Sequence, residues 1–144
     1  MTAFSFRLER VLEWRQAQLD VAQAAMSRVT AECARWETIL ANLGNARAQA
    51  EGMLAGPVNG ADLGALARYQ TYVEQQRKIA LERRREAEIR REQQRQRVLQ
   101  AQRACRLLER LRQLRRSEWE AAVNREFEAL ATETYLAQWE PPRR

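Results

Sequence analysis

The chain has 144 residues, a charged fraction of 31% and a formal net charge of +6 at pH 7. It contains no histidine, which excludes Ser-His and Cys-His nucleophile systems and the commonest zinc ligand. Neither a phosphate-binding glycine motif nor a run of about twenty apolar residues occurs. We therefore predict a cytoplasmic protein that is not an enzyme and that holds no cofactor and no metal ion.

A seven-residue repeat dominates residues 8–54. Its positions alternate in steps of three and four, so they line one narrow stripe of a long helix. Twelve of the fourteen positions are apolar, and arginine stands at the other two: Leu8, Leu12, Arg15, Leu19, Ala22, Met26, Val29, Cys33, Trp36, Leu40, Leu43, Arg47, Ala50 and Leu54. Such a stripe is too narrow for a globular core and predicts packing against a single partner helix.

The first predicted helix covers residues 6–54, with Ser5 as its N-cap. A loop over residues 55–62 follows. It contains Pro57, which has no amide hydrogen and excludes the preceding residue from helical backbone angles. These signals end the first helix close to Pro57.

The second predicted helix covers residues 63–139, with Asp62 as its N-cap, and residues 140–144 form a short tail. Neither glycine nor proline interrupts residues 65–139. Helix two carries a matching but weaker stripe: Leu66, Tyr69, Val73, Ala80, Ala87, Ala101, Ala104, Leu108 and Leu111. Polar residues occupy its middle, so we expect a loosely packed centre: Gln76, Arg83, Arg90, Gln94 and Arg97.

The short loop predicts an antiparallel arrangement of the two helices. If Leu54 faces Leu66, the numbers of facing residues add to about 120, which pairs Leu12 with Leu108. The predicted fold is all-α, a single antiparallel two-helix coiled-coil hairpin over residues 1–144 with a longer, overhanging second helix.

The overhang is predicted to extend about 23 residues, or about 35 Å, beyond the start of helix one. It carries four large aromatic residues: Trp119, Phe127, Tyr135 and Trp139. One interpretation is that these rings dock on a partner, which includes a homo-oligomer formed through the overhang. The alternatives are that the tail frays or that its rings cover the open end of the hairpin.

Charge is distributed unevenly. Residues 74–116 carry fifteen basic and six acidic side chains, whereas residues 117–144 carry three basic and six acidic ones. The predicted basic face consists of five arginines: Arg83, Arg84, Arg90, Arg91 and Arg95. It either binds an acidic partner or only supports the hairpin, through ion pairs within helix two and packing over Trp36. Nucleic acid is not expected as a partner, because glutamates interrupt the block and no aromatic residue lies within it.

The opening residues 4–15, FSFRLERVLEWR, resemble the F-x-F-x-L-x-x-V-L-x-x-R opening of the FliJ family of flagellar export proteins. Residues 69–73, YQTYV, are similar to that family's Y-x-x-[FY]-[IV] motif after the loop. Arg125 and Glu126, followed by Leu130 and Glu133, are similar to its R-E…L-x-E ending, from which Phe127 departs. The layout of two long helices around a break near residue 60 also agrees.

The resemblance implies a stalk like the central coiled coil of rotary ATPases. Its implied partners are the hexameric flagellar export ATPase, an FlhA-like membrane protein of the export gate, and export chaperones. It also implies a peripheral location on the inner face of the cell membrane, at the flagellar base. The stalk would link the ATPase ring to the gate and assist the chaperones.

The resemblance also assigns surfaces to these partners. The ATPase end would be formed by residues near the two termini: Phe4, Phe6, Trp119, Glu126 and Phe127. The gate end would include Tyr69 and Tyr72. Two structural alternatives remain open: Phe4 and Phe6 only fasten the helix start, and Tyr69 belongs to the stripe.

Two other functions remain open beside the flagellar stalk. The equivalent stalk protein of a virulence type III secretion injectisome would have the same shape and mechanics. An arginine-rich helical protein that binds nucleic acid is the other, and it predicts strongly salt-dependent binding to any duplex.

Overall fold

The computed structural model describes residues 2–139, of which 89% are helical and none forms a strand. Helix α1 spans Glu9–Gly52 and helix α2 spans Gly60–Gln138, with 44 and 79 residues. The two helices pack against each other as a hairpin, which confirms the predicted fold class. The predicted tail of residues 140–144 lies outside the described residues.

Two compact units make up the chain. The terminal unit consists of the described residues of Met1–Leu19 and Ala101–Arg144, and the loop unit consists of Asp20–Gln100. Each unit contains a segment of α1 and a segment of α2.

Contacts between helices define the register of the loop unit. Arg90 Nη2 lies 2.6 Å from Glu32 Oε1, and Gln94 Nε2 donates to the carbonyl oxygen of Ala22 at 2.9 Å. The residue numbers in each pair add to about 120. The segments of this unit are therefore antiparallel in the predicted register.

The same register holds in the terminal unit. Arg112 Nε lies 3.2 Å from Glu9 Oε2, and Trp119 Nε1 donates to the carbonyl oxygen of Thr2 at 3.1 Å. Thr2 is thus level with Trp119, and α2 continues from there to its end at Gln138. Every residue from 124 to 139 is exposed, which agrees with the prediction of an overhang. The overhang begins later than predicted, because Trp119 contacts Thr2 and Phe4 and does not belong to it. We keep the name overhang for residues 120–139.

Helix α1 begins at Glu9 and not at residue 6, so the prediction of Ser5 as its N-cap is wrong. The amide of Glu9 donates to the carbonyl of Phe6 at 3.1 Å, and that of Leu12 donates to the carbonyl of Leu8 at 2.9 Å. Residues 2–6 are not helical, because they lie along α2, where the ring of Phe4 packs on Trp119.

The loop and the start of α2 also differ from the prediction. The connection between the helices covers residues 53–59, and Asn59 caps α2, so the prediction of Asp62 as the N-cap is wrong. Asn59 Oδ1 accepts a 2.8 Å hydrogen bond from the amide of Asp62, and the carbonyl of Asn59 accepts one from Leu63. A side-chain oxygen that satisfies an amide of the first turn is the usual N-cap interaction.

Burial follows the predicted stripes, with one difference. The buried apolar residues all belong to them except Cys105: Leu12, Cys33, Val73, Ala80, Ala87 and Cys105. The centre is not uniformly loose, because Ala87 is 0% exposed and Gln94 is buried. Small side chains allow the helices of the loop unit to approach closely, and the bond to Ala22 satisfies the Gln94 amide.

Candidate partner-binding surfaces

Phe4 and Trp119, both predicted at the ATPase end, are in contact in the terminal unit. Their ring centroids are 6.0 Å apart at an interplanar angle of 54°. Tilted aromatic pairs at this separation are favourable beyond the area they bury. Together with the hydrogen bond from Trp119 to Thr2, this pair holds the non-helical N-terminal segment on α2.

A groove of about 800 Å³ opens beside that contact. It lies between the N-terminal segment and α2, and Phe6 is among the residues that line it: Thr2, Ala3, Phe4, Ser5, Phe6, Arg7, Leu8, Leu111, Arg115 and Trp119. Arginine supplies the only charges of this lining. Arg115 already pairs with Glu118 at 3.0 Å, so the groove suits an apolar ligand segment.

The other two residues predicted at the ATPase end, Glu126 and Phe127, lie in the overhang. Both are exposed, and 53% of Phe127 is accessible to solvent. Tyr135 and Trp139 are also exposed. The residues predicted at the ATPase end therefore fall into two groups. Phe4 and Trp119 form a half-buried aromatic pair, whereas Glu126 and Phe127 lie on the exposed overhang.

Tyr69 and Tyr72, predicted at the gate end, lie in the loop unit near the start of α2. Their exposed fractions are 40% and 56%. Tyr69 is therefore not a buried residue of the stripe. Both rings are accessible on the surface of this unit, which is compatible with a binding role and does not assign one.

Most of the predicted basic face is occupied by ion pairs. Arg84 lies 3.2 Å from Glu88 and 3.7 Å from Glu37, and Arg90 pairs with Glu32 across the hairpin. Arg83 and Arg95 pair with glutamates three residues away on α2. Among the described residues, only Arg91 of these five arginines forms no ion pair. Most of these arginines therefore support the hairpin through ion pairs. Each half-exposed pair contributes little to the free energy of unfolding.

The ion pair of Glu92 with Arg95 shifts the pKa values of both of its groups. Glu92 accepts two hydrogen bonds from Arg95, at 3.0 and 3.1 Å, and one from Gln96. These bonds lower the pKa of Glu92 below its ordinary value of 4.5 and raise the pKa of Arg95. Both groups are exposed, so solvent screens their interaction.

Four exposed apolar residues of the terminal unit were not predicted as part of a surface. Val11 and Trp14 lie on α1, and Leu107 and Leu114 lie on α2, with exposed fractions of 42%, 55%, 71% and 57%. The seven-residue interval between Leu107 and Leu114 places both on one side of α2. That interval could have predicted a shared side of α2, but neither residue belongs to the predicted stripe.

Within residues 2–139, no group of acidic, histidine or cysteine residues is arranged to hold a metal ion. None of the helices in that range has the length and apolar character needed to cross a membrane. Comparison of the chain with known protein families, with curated proteins and with solved structures finds no match.

Proposed function

We propose that this chain is a non-catalytic stalk and adaptor of a flagellar type III export apparatus. The observation that carries the proposal is the overhang: α2 continues from the level of Thr2 to Gln138 as exposed helix with exposed aromatic rings. A helix of this kind lacks a partner within the hairpin, which suits insertion into a separate assembly. The motif resemblance at residues 4–15 supports the choice of the export ATPase ring as that assembly.

Support for an interaction role also comes from the described surface. Its grooves are open, most arginines of its basic face are paired with glutamates, and the carboxylate of Glu92, whose pKa is lowered, is exposed. A hairpin of this kind offers little that would hold a substrate and exclude water. Docking surfaces at the terminal unit and at the loop unit suit a protein that links two partners.

The first test is the effect of the purified chain on its cognate export ATPase. We expect ATP turnover to rise and the fraction of hexameric ATPase to increase when the chain is added. Turnover is measured by phosphate release, and hexamer content by analytical ultracentrifugation. Unchanged turnover together with an unchanged assembly state would overturn the stalk proposal.

A matched pair of variants locates the contact. Phe127 in the overhang and Ile89 in the loop unit are both 53% exposed, so replacement of either by aspartate leaves the buried core intact. Phe127→Asp is expected to abolish the rise in turnover, whereas Ile89→Asp retains it. Equal stimulation of ATP turnover by the two variants would show that the overhang does not contact the ATPase.

The proposed gate contact has its own test. Tyr72→Ala is expected to weaken binding to the cytoplasmic part of an FlhA-like gate protein without any change in ATPase stimulation. Because the Tyr72 ring is exposed, its removal is expected to leave the fold intact. Weaker binding would therefore report the lost contact. Affinity is measured by titration calorimetry, with Ile89→Ala as the control on the same unit.

A further inference from the structure

The two helices of the terminal unit share a short sequence pattern. Leu12 of α1 is buried, and the register pairs it with the half-buried Leu108 of α2. An apolar residue precedes each leucine and a glutamate follows it: Val11-Leu12-Glu13 and Leu107-Leu108-Glu109. At about 100° per residue, the apolar residue and the glutamate lie to opposite sides of the leucine that faces the other helix.

The same side of the hairpin receives the apolar residues of both helices. A twofold axis perpendicular to their common plane relates two antiparallel helices, so the same rotation around each helix leads to the same side. Val11 and Leu107 therefore share one side, which we call the apolar side, and Glu13 and Glu109 share the other. Glu9 also lies on the glutamate side, about 60° around α1 from the buried leucine.

Two further exposed residues extend the apolar side. Trp14 lies about 160° around α1 from Leu12, and Leu114 lies about 120° around α2 from Leu108, both in the direction of that side. The register set by the ion pair of the terminal unit places Trp14 level with Leu107. We call the set of exposed apolar residues on this side the apolar face: Val11, Trp14, Leu107 and Leu114.

Three exposed arginines border the apolar face. They lie on the apolar side, between about 60° and about 160° from the paired leucines: Arg15, Arg103 and Arg110. None of them forms an ion pair with a described residue. The guanidinium carbon of Arg15 lies over the Trp14 ring, 5.0 Å from its centroid. Residues 9–19 and 101–117 place no acid on this side, and the nearest one, Glu118, pairs with Arg115 at 3.0 Å.

The directions of the apolar side chains favour a flat partner over a single helix. A third helix in the groove between two helices would meet side chains about 60° from the direction of the neighbouring helix, whereas a flat surface across both helices meets those at about 90°. Val11 and Leu107 lie at about 100°, and Leu114 lies at about 120°. The apolar face therefore points away from the groove and toward a surface that spans both helices.

We propose that the apolar face binds the surface of a lipid bilayer with anionic headgroups, with α1 and α2 of the terminal unit parallel to the membrane plane. The leucine and valine side chains enter the boundary between headgroups and acyl chains, where a tryptophan ring is also favoured. The arginine stems lie along this apolar surface, and their guanidinium groups reach the lipid phosphates. The glutamates on the opposite side face water.

This surface is distinct from the overhang of the stalk proposal, with which it shares no residue. A terminal unit enclosed by an ATPase ring cannot lie on a bilayer, so membrane binding belongs to the chain outside the ring. Vesicle binding can be measured without the ATPase. Failure of membrane binding is therefore distinguishable from failure of the stalk proposal.

The first experiment is co-sedimentation of the full chain with lipid vesicles. We expect the Kd for phosphatidylcholine vesicles with about 30% phosphatidylglycerol to be about tenfold lower than for phosphatidylcholine alone. Raising NaCl from about 0.05 M to about 0.5 M should raise the former Kd about tenfold, since salt screens exposed charges. A chain that stays in the supernatant with both vesicles would overturn the proposal. Equal binding to both would contradict the requirement for anionic headgroups.

Adjacent residues of α2 supply a matched pair of variants. Leu114 belongs to the apolar face, whereas the exposed Gln113 lies on the glutamate side, about 140° around α2 from Leu108. Leu114→Glu is expected to raise the Kd for the anionic vesicles about tenfold, and Gln113→Glu, with the same added charge, about twofold or less. Unchanged helical circular dichroism verifies folding in both. Equal effects would show attraction by net charge alone and would contradict the assigned face.

Tryptophan fluorescence tests the orientation on the membrane. Anionic vesicles with brominated acyl chains quench a ring that enters the bilayer. Trp14→Phe is expected to lose most of the quenching that the unmodified chain shows. Trp139→Phe, which removes an equally accessible ring from the overhang, is expected to retain it. Equal quenching of the unmodified chain and Trp14→Phe would contradict insertion of the apolar face.

Discussion

The two units handle charge differently. In the loop unit, basic side chains of α2 meet acidic side chains of α1 across the hairpin, as in the pairs of Arg90 with Glu32 and Arg84 with Glu37. In the terminal unit, charge is separated along α2 into an arginine-rich segment and a glutamate-rich overhang. Both units contain ion pairs across the hairpin, as Arg112 with Glu9 shows for the terminal unit, whereas the separation of a basic from an acidic segment along α2 belongs to the terminal unit.

Core composition differs in the same sense. Small residues dominate the buried positions of the loop unit, where Ala80 and Ala87 are 2% and 0% exposed. The terminal unit buries the larger side chain of Leu12 and packs Phe4 on Trp119, whereas exposed apolar side chains occur in both units, as at Trp14 and Ile89. The two units thus differ in the size of the side chains that they bury.

The largest expected effect is at Leu12, the largest fully buried side chain of the described chain. Leu12→Ala is expected to lower the free energy of unfolding by about 2–5 kcal/mol, through lost burial and the cavity that remains. Hydrogen exchange resolved along the chain should show faster exchange in the terminal unit above all. Leu107→Ala, at a 71% exposed site of that unit, is the control, and an equal loss there would contradict the assigned core.

Gln94 tests the polar link of the loop unit. Gln94→Ala removes the hydrogen bond to Ala22 and is expected to cost about 0.5–1.5 kcal/mol of unfolding free energy. The neighbouring Gln93 is exposed, so Gln93→Ala provides the same chemical change without the bond. Urea denaturation measures both, and equal stabilities would show that the bond contributes nothing.

Gly44 offers a stabilising change in the loop unit. It lies within α1, where an added Cβ would meet no atom within 4 Å. Gly44→Ala is expected to raise the free energy of unfolding by about 0.5–1 kcal/mol, since alanine has less freedom to lose on helix formation. Thermal unfolding measures the gain. Gly56→Ala, in the loop, should give a smaller one, and the reverse order would contradict this explanation.

The smallest effect is expected at Glu92. Its pKa is lower in the folded chain than its ordinary value of 4.5, so its stabilising contribution is present above that value. The contribution disappears as the pH falls through the lowered pKa. Glu92→Gln should therefore be slightly less stable than the unmodified chain at pH 7 and equal to it in acid. Unfolding at several pH values measures the difference, and one that persists in acid would contradict the assignment to ionised Glu92.

The helices were predictable because their signals are local. The alternation of three and four residues in α1 and the Gly- and Pro-containing break require no knowledge of the rest of the chain. The helix ends were less predictable. Asn59 and Asp62 are both good capping residues, and only the structure shows that the side chain of Asn59 accepts the bond from the amide of Asp62.

The candidate surfaces were predictable in part. Aromatic residues in the part of a helix that extends beyond its partner helix predict an exposed overhang, and Phe127 is exposed there. The exposed residues Val11, Trp14, Leu107 and Leu114 were not predicted as a surface, because they come from two helices that meet only when these pack. The sequence located the arginines of the basic face. It did not predict which glutamates of α1 they pair with, because those pairs depend on side-chain placement.

By itself, the sequence determined two helices, an antiparallel register and an overhang, since each follows from repeat spacing and helix-breaking residues. The tertiary structure decided that Gln94 is buried and that residues 2–6 leave the helix to pack along α2. Repeat spacing is a property of neighbours in the chain. The burial of an amide and the contact of Phe4 with Trp119 depend on residues far apart in sequence, whose contacts exist only after the hairpin has closed.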